Sequence, residues 1–363
     1  MLMMRTMSRT LLTVMALALS ASAHAQHGPW TTPPVNASGV QYRTFQSANA
    51  GATVSFHVWL PPQYQSMLTA RFPVLYWLHG SGSPIAGIPW VSSWFGNAMA
   101  QGKIPPMLVV FPNGMGASMW CDSKDGEYLM ESVVIEDLIP HVDATFRTIA
   151  ERRGRILEGF SMGGSGTGRL GLRRPDLFAG ISMLGAGPMQ LDFMTAPLGT
   201  DVPPRNRAAI FEGVWGSDPA YYLEQHPWTI AERRAQAHIV QCTEIRLGTG
   251  SLDAMLGPMV EFHAHLLALG IPHENVVVPG VDHDPALTLQ GLGEAGWAFY
   301  HRSLATPCPQ PADVNCSGMV DGADLGLVLG AWGPGHGPAD INGDAVVDGA
   351  DLGLLVAAWG SAT

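Results

Sequence analysis

The segment Gly-Phe-Ser-Met-Gly-Gly at residues 159–164 is the most informative stretch of the 363-residue chain. A short strand-like run, Arg-Ile-Leu-Glu at 155–158, precedes it, and a segment with helical character follows it to Arg173. A serine in Gly-x-Ser-x-Gly between a strand and a helix is typical of a nucleophile elbow, because the glycines allow a turn too tight for a Cβ. The motif therefore predicts an exposed, reactive Ser161 on a strained turn.

Short apolar runs alternate with longer helical segments along most of the chain, as expected for strands covered on both faces by helices. We predict strands at 53–60, 72–78, 107–111, 155–160, 180–184, 244–247 and 275–278. We predict helices at 94–101, 132–146, 163–173, 259–269 and 291–304. This alternation indicates an α/β fold with a mostly parallel, doubly wound sheet, in which sites form at the carboxyl ends of strands.

Two later loops carry the partners that a nucleophilic serine needs. The strand that begins near Ile245 leads into a glycine-rich loop containing Asp253, and the strand at 275–278 leads into a loop containing His283. The chain order serine, acid, histidine matches the order of such triads on doubly wound sheets. We predict that His283 takes the Ser161 proton and that Asp253 orients the imidazole ring. Asp282 and Asp284 flank His283, but sequence neighbours rarely have the geometry to orient a ring.

Backbone N–H groups near the serine should form an oxyanion hole. The N–H of Met162 is the first predicted donor, and the N–H of Gly80 or Ser81, after the strand at 72–78, is the second. We interpret His79 as structural, because this loop contributes its backbone to catalysis.

Residues from about Val40 to His301 resemble the esterase D-like family of secreted α/β-hydrolases, which includes feruloyl esterases, acetylxylan esterases, tributyrin-type esterases and mycolyltransferases. The matching segments lie at 72–80, 111–114, 138–143, 159–164, 174–178 and 279–283. The resemblance implies the α/β-hydrolase fold and esterase chemistry with Ser161, Asp253 and His283 as the triad, and it leaves the substrate open. The histidine loop lacks the aromatic residue that often follows the histidine in feruloyl esterases.

Residues 185–237 interrupt the alternation and are rich in proline, glycine and aromatic residues. We expect this insertion to pack over the site, with Trp215, Tyr221 and Tyr222 as candidate substrate contacts. Aromatic side chains that fill the core of the insertion itself are an equally good interpretation of each residue.

A repeat with a period of 27 residues follows a proline-rich linker at 304–312, and residues 313–333 match residues 340–360 at 13 of 21 positions. Each copy begins with a twelve-residue loop that has the ligand spacing of an EF-hand. Position 7 of each loop supplies a backbone carbonyl. The predicted Ca²⁺ ligands are Asp313, Asn315, Ser317, Met319, Asp321 and Asp324, followed by Asp340, Asn342, Asp344, Val346, Asp348 and Asp351.

The repeat resembles a type I dockerin, a small module that folds around two calcium ions and docks onto a cohesin. The resemblance implies a small all-α, calcium-binding domain with a cohesin-like or cell-surface partner. Ala345 stands where the sharp turn prefers glycine, and Ser317 replaces an acid, so calcium binding should be weaker than with a full ligand set. The alternative interpretation is an acidic, disordered tail.

The first 25 residues have the pattern of a signal peptide: Arg5 and Arg9, an apolar run at 11–19 and an Ala-His-Ala cleavage site at 23–25. The alternative, an uncleaved membrane anchor, conflicts with the short apolar run. The predicted organisation is a signal peptide at 1–25, an esterase domain at 26–303, a linker at 304–312 and a dockerin-like domain at 313–363. The protein should be secreted or held at the cell surface.

The net charge of −11 is concentrated at the carboxyl end, where seven aspartates and no lysine or arginine follow residue 303. This asymmetry argues against nucleic acid or an anionic membrane as a partner. The four cysteines, Cys121, Cys242, Cys308 and Cys316, allow three pairings. Cys308–Cys316 and Cys121–Cys242 are candidate bridges, and buried thiols are an equally good interpretation.

These observations favour a secreted serine carboxylesterase that acts on acyl esters, such as acetyl or feruloyl esters of plant cell-wall polysaccharide, without a cofactor for catalysis. An acyltransferase on the same fold is one alternative. A non-catalytic, calcium-dependent binding or scaffold protein is another, although the intact order of serine, acid and histidine argues against it. A metalloenzyme is disfavoured because the sequence lacks a His-Glu-x-x-His motif.

Overall fold

The central feature of the fold is a mostly parallel sheet. The structure is a computed structural model that describes residues 28–195, 204–304, 311–314, 319–334, 339–342, 344 and 346–361. The strands of this sheet are β1 Val40–Ser47, β2 Ala52–Trp59, β3 Val74–Leu78, β4 Leu108–Pro112, β5 Arg155–Phe160, β6 Gly180–Leu184, β7 Glu244–Gly250 and β8 Glu274–Val278. Their order in the sheet is β1-β2-β4-β3-β5-β6-β7-β8. Strands β3 to β8 run parallel, whereas β2 pairs antiparallel with β1 and with β4. The predicted mostly parallel α/β sheet is confirmed.

Helices cover both faces of the sheet and bury its apolar side chains in two clusters. Before the serine turn lie α1 Gln63–Ser66, α2 Ile88–Ala100, α3 Met130–Ser132 and α4 Ile139–Thr145, with a π-helical segment, Val133–Leu138, joining the last two. After it lie α5 Met162–Arg173, α6 Pro204–Trp215, α7 Pro219–Glu224, α8 Pro227–Val240, α9 Leu256–Ala268, α10 Pro285–Gly291 and α11 Gly293–Leu304. The insertion at 185–237, which showed no clear period in the sequence, therefore contains helices.

A buried polar row crosses three central strands beneath the serine turn. Glu158 on β5 pairs in register with Ser182 on β6, and Ser182 pairs with Arg246 on β7. Arg246 donates from Nη2 to the Glu158 carboxylate at 2.7 Å and from Nε to Ser182 Oγ at 3.0 Å. Both charged side chains are fully buried, so each depends on the other for compensation of its charge.

The carboxyl-terminal repeat has a small apolar core of its own, which includes Val320, Val328, Val347 and Leu355. Its helices are α12 Gly322–Gly330 and α13 Gly349–Ala357, and the short strands β9 Gly333–Pro334 and β10 Val346–Val347 pair antiparallel. The sequence predicted the helices but not this ladder. Asn315 and Ser317, like the predicted signal peptide, lie outside the described residues.

The structure does not contain the Cys121–Cys242 bridge considered above. Cys242 is disulfide-bonded, but Cys121 is a free, buried thiol. The candidate Cys121–Cys242 bridge is therefore wrong. Cys308 and Cys316 lie outside the described residues. In the part of the chain that the structure describes, no helix is long and apolar enough to cross a membrane.

We predict that Arg246→Met lowers the free energy of unfolding by about 3–5 kcal/mol, because it leaves the buried Glu158 carboxylate without its partner. Arg302→Met is the matched control. Arg302 bridges Glu244 and Glu274 with a side chain that is 45% exposed, so its loss should cost less than about 1 kcal/mol. Denaturant unfolding of both variants measures the difference, and equal losses would contradict the assigned role of the buried pair.

Candidate active site and candidate calcium loops

Ser161 lies at the turn between β5 and α5 and has φ 59° and ψ −121°, a conformation that non-glycine residues rarely adopt. Its flanking glycines are required by close backbone contacts. A Cβ on Gly163 would lie 1.9 Å from the Leu78 carbonyl oxygen, and one on Gly159 would lie 2.5 Å from the Gly163 oxygen. The sharp turn predicted from the motif is therefore present, and it places the serine at the carboxyl end of the parallel strands.

The three side chains predicted as the triad come together in one hydrogen-bonded chain. His283 Nε2 lies 2.9 Å from Ser161 Oγ, and His283 Nδ1 lies 2.8 Å from Asp253 Oδ2. In the neutral imidazole, Nδ1–H then donates to the carboxylate and Nε2 accepts the serine proton. This is the arrangement in which a histidine can act as a general base toward a hydroxyl group.

Asp253 is held in place by its own surroundings. Its side chain is fully buried, and its second oxygen, Oδ1, accepts the Met255 N–H at 2.8 Å. Gly185, with φ 46°, leaves room beside it, because a Cβ there would lie 3.0 Å from Asp253 Oδ2. The carboxylate is therefore aimed at the imidazole by a buried, sterically tight environment.

The two other acids near the histidine have different partners. Asp282 accepts the backbone N–H of His283 at 2.8 Å. Asp284 caps α10 by accepting the N–H groups of Ala286 and Leu287 at 2.8 and 2.9 Å. Neither is the acid that bonds the imidazole ring, so the choice of Asp253 over its competitors agrees with the geometry.

The predicted oxyanion donors surround Ser161. Met162 begins α5, where the first backbone N–H groups have no acceptor within the helix. A Cβ on Gly80 would lie 3.2 Å from Ser161 Cβ and 3.7 Å from its Oγ. Within the described residues, no hydrogen-bond acceptor is found for the N–H of Met162, Gly80 or Ser81. All three remain able to donate to a developing oxyanion.

His79 lies beside these donors, half-buried at the edge of the cavity, and both of its ring nitrogens form hydrogen bonds to the backbone. Its Nδ1 lies 2.7 Å from the Gly80 carbonyl oxygen, and its Nε2 accepts the Gly114 N–H at 3.0 Å. Burial lowers the pKa of His79 to about 4, although the bond to Gly80 acts in the opposite direction. The ring is therefore neutral near pH 7, as its two hydrogen bonds require.

A cavity of about 240 Å³ opens at Ser161 and His283. Its lining includes Trp77, Trp90 and Phe160, and among the described residues of the insertion only Gly187 and Pro188 contribute to it. The sequence did not identify this aromatic wall. Phe160, inside the elbow motif, was the one member that its position could have revealed, because it directly precedes the serine.

The aromatic residues proposed as substrate contacts lie elsewhere. Trp215 and Tyr222 are 0% and 1% exposed and pack with Phe193 in the insertion. Tyr221 donates its hydroxyl to the Asp122 carbonyl at 3.1 Å. Of the two interpretations offered for these residues, the structure favours core packing for Trp215 and Tyr222, whereas Tyr221 is half-buried and bonds a residue outside the insertion. None of the three lines the cavity at Ser161.

The second candidate calcium loop is closed by its own predicted ligands. Oδ1 atoms of Asp340 and Asn342 accept the Asp344 N–H at 3.0 and 2.9 Å, and Asp351 Oδ1 accepts the Asn342 N–H at 3.0 Å. Asp351 is fully buried. Burial raises the pKa of Asp351, but N–H donors from Asp348, Asn342 and Ile341 outweigh it and hold that pKa below its ordinary value.

The described part of the first loop contains a hydrogen bond that corresponds to one in the second loop. Asp324 accepts the Asp321 N–H at 2.9 Å, as Asp351 accepts that of Asp348 in the second loop. Within the described ranges, no group of three or more histidine, cysteine, aspartate or glutamate side chains is arranged to hold a metal. Hard cations also use amide and backbone oxygens, so a calcium ion in these loops would need the Asn342 oxygen and the position-7 carbonyls in addition to carboxylates.

Comparisons with known proteins agree with this geometry. The Esterase family matches residues 47–283, more than half of the chain. An endo-1,4-beta-xylanase/feruloyl esterase of Xylanibacter ruminicola is 34% identical over 42% of this chain and 22% of its own length. Esterase Rv1288 of Mycobacterium tuberculosis is 32% identical over 34% of this chain and 27% of its own length. The chain thus matches about a quarter of the length of these relatives.

Solved structures share the fold. A ferulic acid esterase superposes with a TM-score of 0.58 at 21% identity, over 72% of this chain and 98% of its own. An S-formylglutathione hydrolase of Agrobacterium tumefaciens superposes with a TM-score of 0.57 at 20% identity, over 74% and 97%. The chain therefore shares the overall fold of these two hydrolases, and its match over residues 47–283 shows that it belongs to the Esterase family.

Proposed function

We propose that this protein is a secreted serine carboxylesterase that hydrolyses acyl esters of plant cell-wall polysaccharide, with Ser161, His283 and Asp253 as its triad. The observation that carries the proposal is the continuous chain from Ser161 Oγ to His283 to the buried Asp253, built on a strained turn. Family membership supports the reaction class.

Acylation follows from the positions of these groups. His283 Nε2 takes the proton from Ser161 Oγ as the oxygen attacks the ester carbonyl carbon. The negative charge moves to the carbonyl oxygen, which the N–H groups of Met162 and of Gly80 or Ser81 stabilise. The imidazolium, held by Asp253, then gives its proton to the departing alcohol oxygen, and the acyl group stays on Ser161.

Deacylation repeats the sequence with water. His283 removes a proton from a water molecule, whose oxygen attacks the acyl carbon and restores the same oxyanion. Collapse of this intermediate returns the proton to Ser161 Oγ and releases the carboxylic acid. Each proton moves between Ser161, His283 and the reacting oxygens, so the cycle needs no cofactor.

The cavity supports an acyl group with apolar character. Trp77, Trp90 and Phe160 give it an aromatic wall beside the serine, and apolar walls with a few polar groups are usual for small-molecule sites. Acetyl and feruloyl esters are the substrates we propose. The relative from Xylanibacter ruminicola, whose name includes feruloyl esterase and xylanase, supports this choice.

We further propose that residues 1–25 direct export and that residues 313–363 form a dockerin-like, calcium-binding domain. In the second loop, hydrogen bonds hold Asp340, Asn342, Asp344 and Asp351 close together, and this arrangement supports calcium as the ion of the loop. When bound, calcium would neutralise the clustered carboxylates and stabilise the helices that follow. A cohesin-like or cell-surface partner of this domain is part of the same proposal.

We predict that Ser161→Ala lowers kcat for a short-chain p-nitrophenyl ester by roughly a thousandfold or more. Asp253→Asn should cost on the order of 10⁴-fold, because the imidazole loses the partner that fixes its tautomer. Asp282→Asn is the matched control. Its carboxylate bonds a backbone N–H rather than the ring, so kcat should stay within about threefold of the wild type.

Steady-state kinetics of the mature enzyme measure these three variants together. Equal losses in Asp253→Asn and Asp282→Asn would contradict the assignment of Asp253. Unchanged turnover in Ser161→Ala would remove Ser161 as the nucleophile. Assays on acetylated and feruloylated xylan with the wild type then test the substrate proposal separately.

We predict that the full chain binds Ca²⁺ and that Asp340→Ala weakens binding at the second loop by at least about tenfold, because Asp340 supplies the first ligand. Isothermal titration with CaCl₂ measures affinity and stoichiometry, and MgCl₂ is the control cation. Ester hydrolysis should be the same in calcium and in EGTA. Absence of calcium binding in the wild type would contradict the calcium assignment without affecting the esterase proposal.

A further inference from the structure

Two loops meet beside Ser161, and their contacts have no role in the mechanism above. The oxyanion loop, residues 79–82, follows β3, and the support loop, residues 113–120, follows β4. Three hydrogen bonds join them. The Gly114 N–H donates to His79 Nε2 at 3.0 Å, Trp120 Nε1–H donates to the His79 carbonyl at 3.1 Å, and the Gly82 N–H donates to the Gly116 carbonyl at 2.9 Å.

One of these contacts, together with a hydrogen bond inside the oxyanion loop itself, fixes the peptide planes that carry the candidate oxyanion donors. In a trans peptide, the carbonyl and the next N–H point in opposite directions within one rigid plane. Trp120 binds the His79 carbonyl, which shares its plane with the Gly80 N–H. His79 Nδ1–H binds the Gly80 carbonyl, which shares its plane with the Ser81 N–H. The direction of each donor therefore depends on one side-chain hydrogen bond.

The Trp120 indole is seated where only glycine leaves room. A Cβ on Gly114 would lie 2.3 Å from the indole, and one on Gly166 would lie 2.5 Å from it. Gly166 belongs to α5, the helix whose first residue, Met162, offers the other donor. Trp120 is fully buried. The indole thus packs against both elements that supply oxyanion donors.

The support loop holds a strained backbone. Met115, Met119 and Trp120 have φ values of 55°, 53° and 52°, in a region that non-glycine residues rarely adopt. Arg169 on α5 donates to the Met119 carbonyl, and Ser118 Oγ accepts the Trp120 N–H at 3.1 Å. Strain of this kind persists where surrounding contacts enforce it, and it concentrates at functional sites.

We infer that Trp120 and His79 are positioning residues that aim the N–H groups of Gly80 and Ser81 at the oxyanion. The inference rests on the proposed esterase function, and it adds a specific support for one half of the oxyanion hole. Neither side chain touches the reacting atoms in this role. Each acts through the peptide that it holds.

Trp120→Phe tests the inference, because it keeps most of the buried ring and removes the Nε1–H donor. We expect kcat to fall about 10- to 100-fold while KM stays within about threefold of the wild type. Loss of a whole oxyanion donor lowers kcat by about 10²- to 10³-fold, and here the donor is misaligned rather than removed. A boronic acid that forms a tetrahedral adduct on Ser161 should lose affinity by a similar factor.

Trp215→Phe is the matched control. Trp215 is also fully buried, but the described residues offer no acceptor for its Nε1. This variant loses the same atoms without a hydrogen bond to the oxyanion loop, so kcat and boronic acid affinity should stay within about twofold of the wild type. His79→Asn, which can still donate to the Gly80 carbonyl, should retain more kcat than His79→Ala.

The inference is overturned if folded Trp120→Phe keeps wild-type kcat and boronic acid affinity, or if Trp215→Phe lowers both to the same extent. Circular dichroism and thermal unfolding verify that each variant is folded. A wild type without Ser161-dependent turnover would instead overturn the proposed function, and the inference with it. An active wild type with an unaffected Trp120→Phe overturns the inference alone.

Discussion

The contact of Gly163 with the Leu78 carbonyl is the constraint on which the site depends. A Cβ at Gly163 would lie 1.9 Å from that oxygen, so the serine turn and the end of β3 can approach only with glycine there. At the same place Ser161 lies beside Gly80 and has a positive φ of 59°. The geometry of the candidate site therefore depends on close backbone packing at the centre of a parallel sheet as well as on side-chain hydrogen bonds.

Much of the sheet could be predicted from the sequence, because buried parallel strands are short apolar runs. The predicted limits of β5 and β6 agree with the structure. We did not predict β1, because it contains exposed polar residues and few buried ones. It is a strand through its antiparallel pairing with β2. We did not predict helices α6 to α8, because their aromatic residues follow no clear period. Trp215 of α6 and Tyr222 of α7 pack with Phe193. Trp228 of α8 packs against Phe262 of α9.

The residues of the candidate site also divide into those that the sequence could predict and those that it could not. Ser161, His283 and Asp253 could be proposed because each lies in a loop directly after a strand, where chain order alone indicates proximity. The structural evidence for Asp253 over Asp282 is that the Asp253 carboxylate is buried and is fixed by the Met255 N–H. Neither feature could be read from the sequence. The contact between Trp120 and His79 joins residues 41 positions apart, and no local pattern marks it.

The most direct test of the proposed mechanism is to locate the acyl group in the covalent intermediate. The enzyme would be mixed with p-nitrophenyl acetate, quenched in acid during turnover, digested and examined by mass spectrometry. The mechanism predicts a single acetyl group on Ser161 that is absent from Ser161→Ala. An acetyl group on another residue, or rapid turnover through a Ser161→Ala protein, would contradict it.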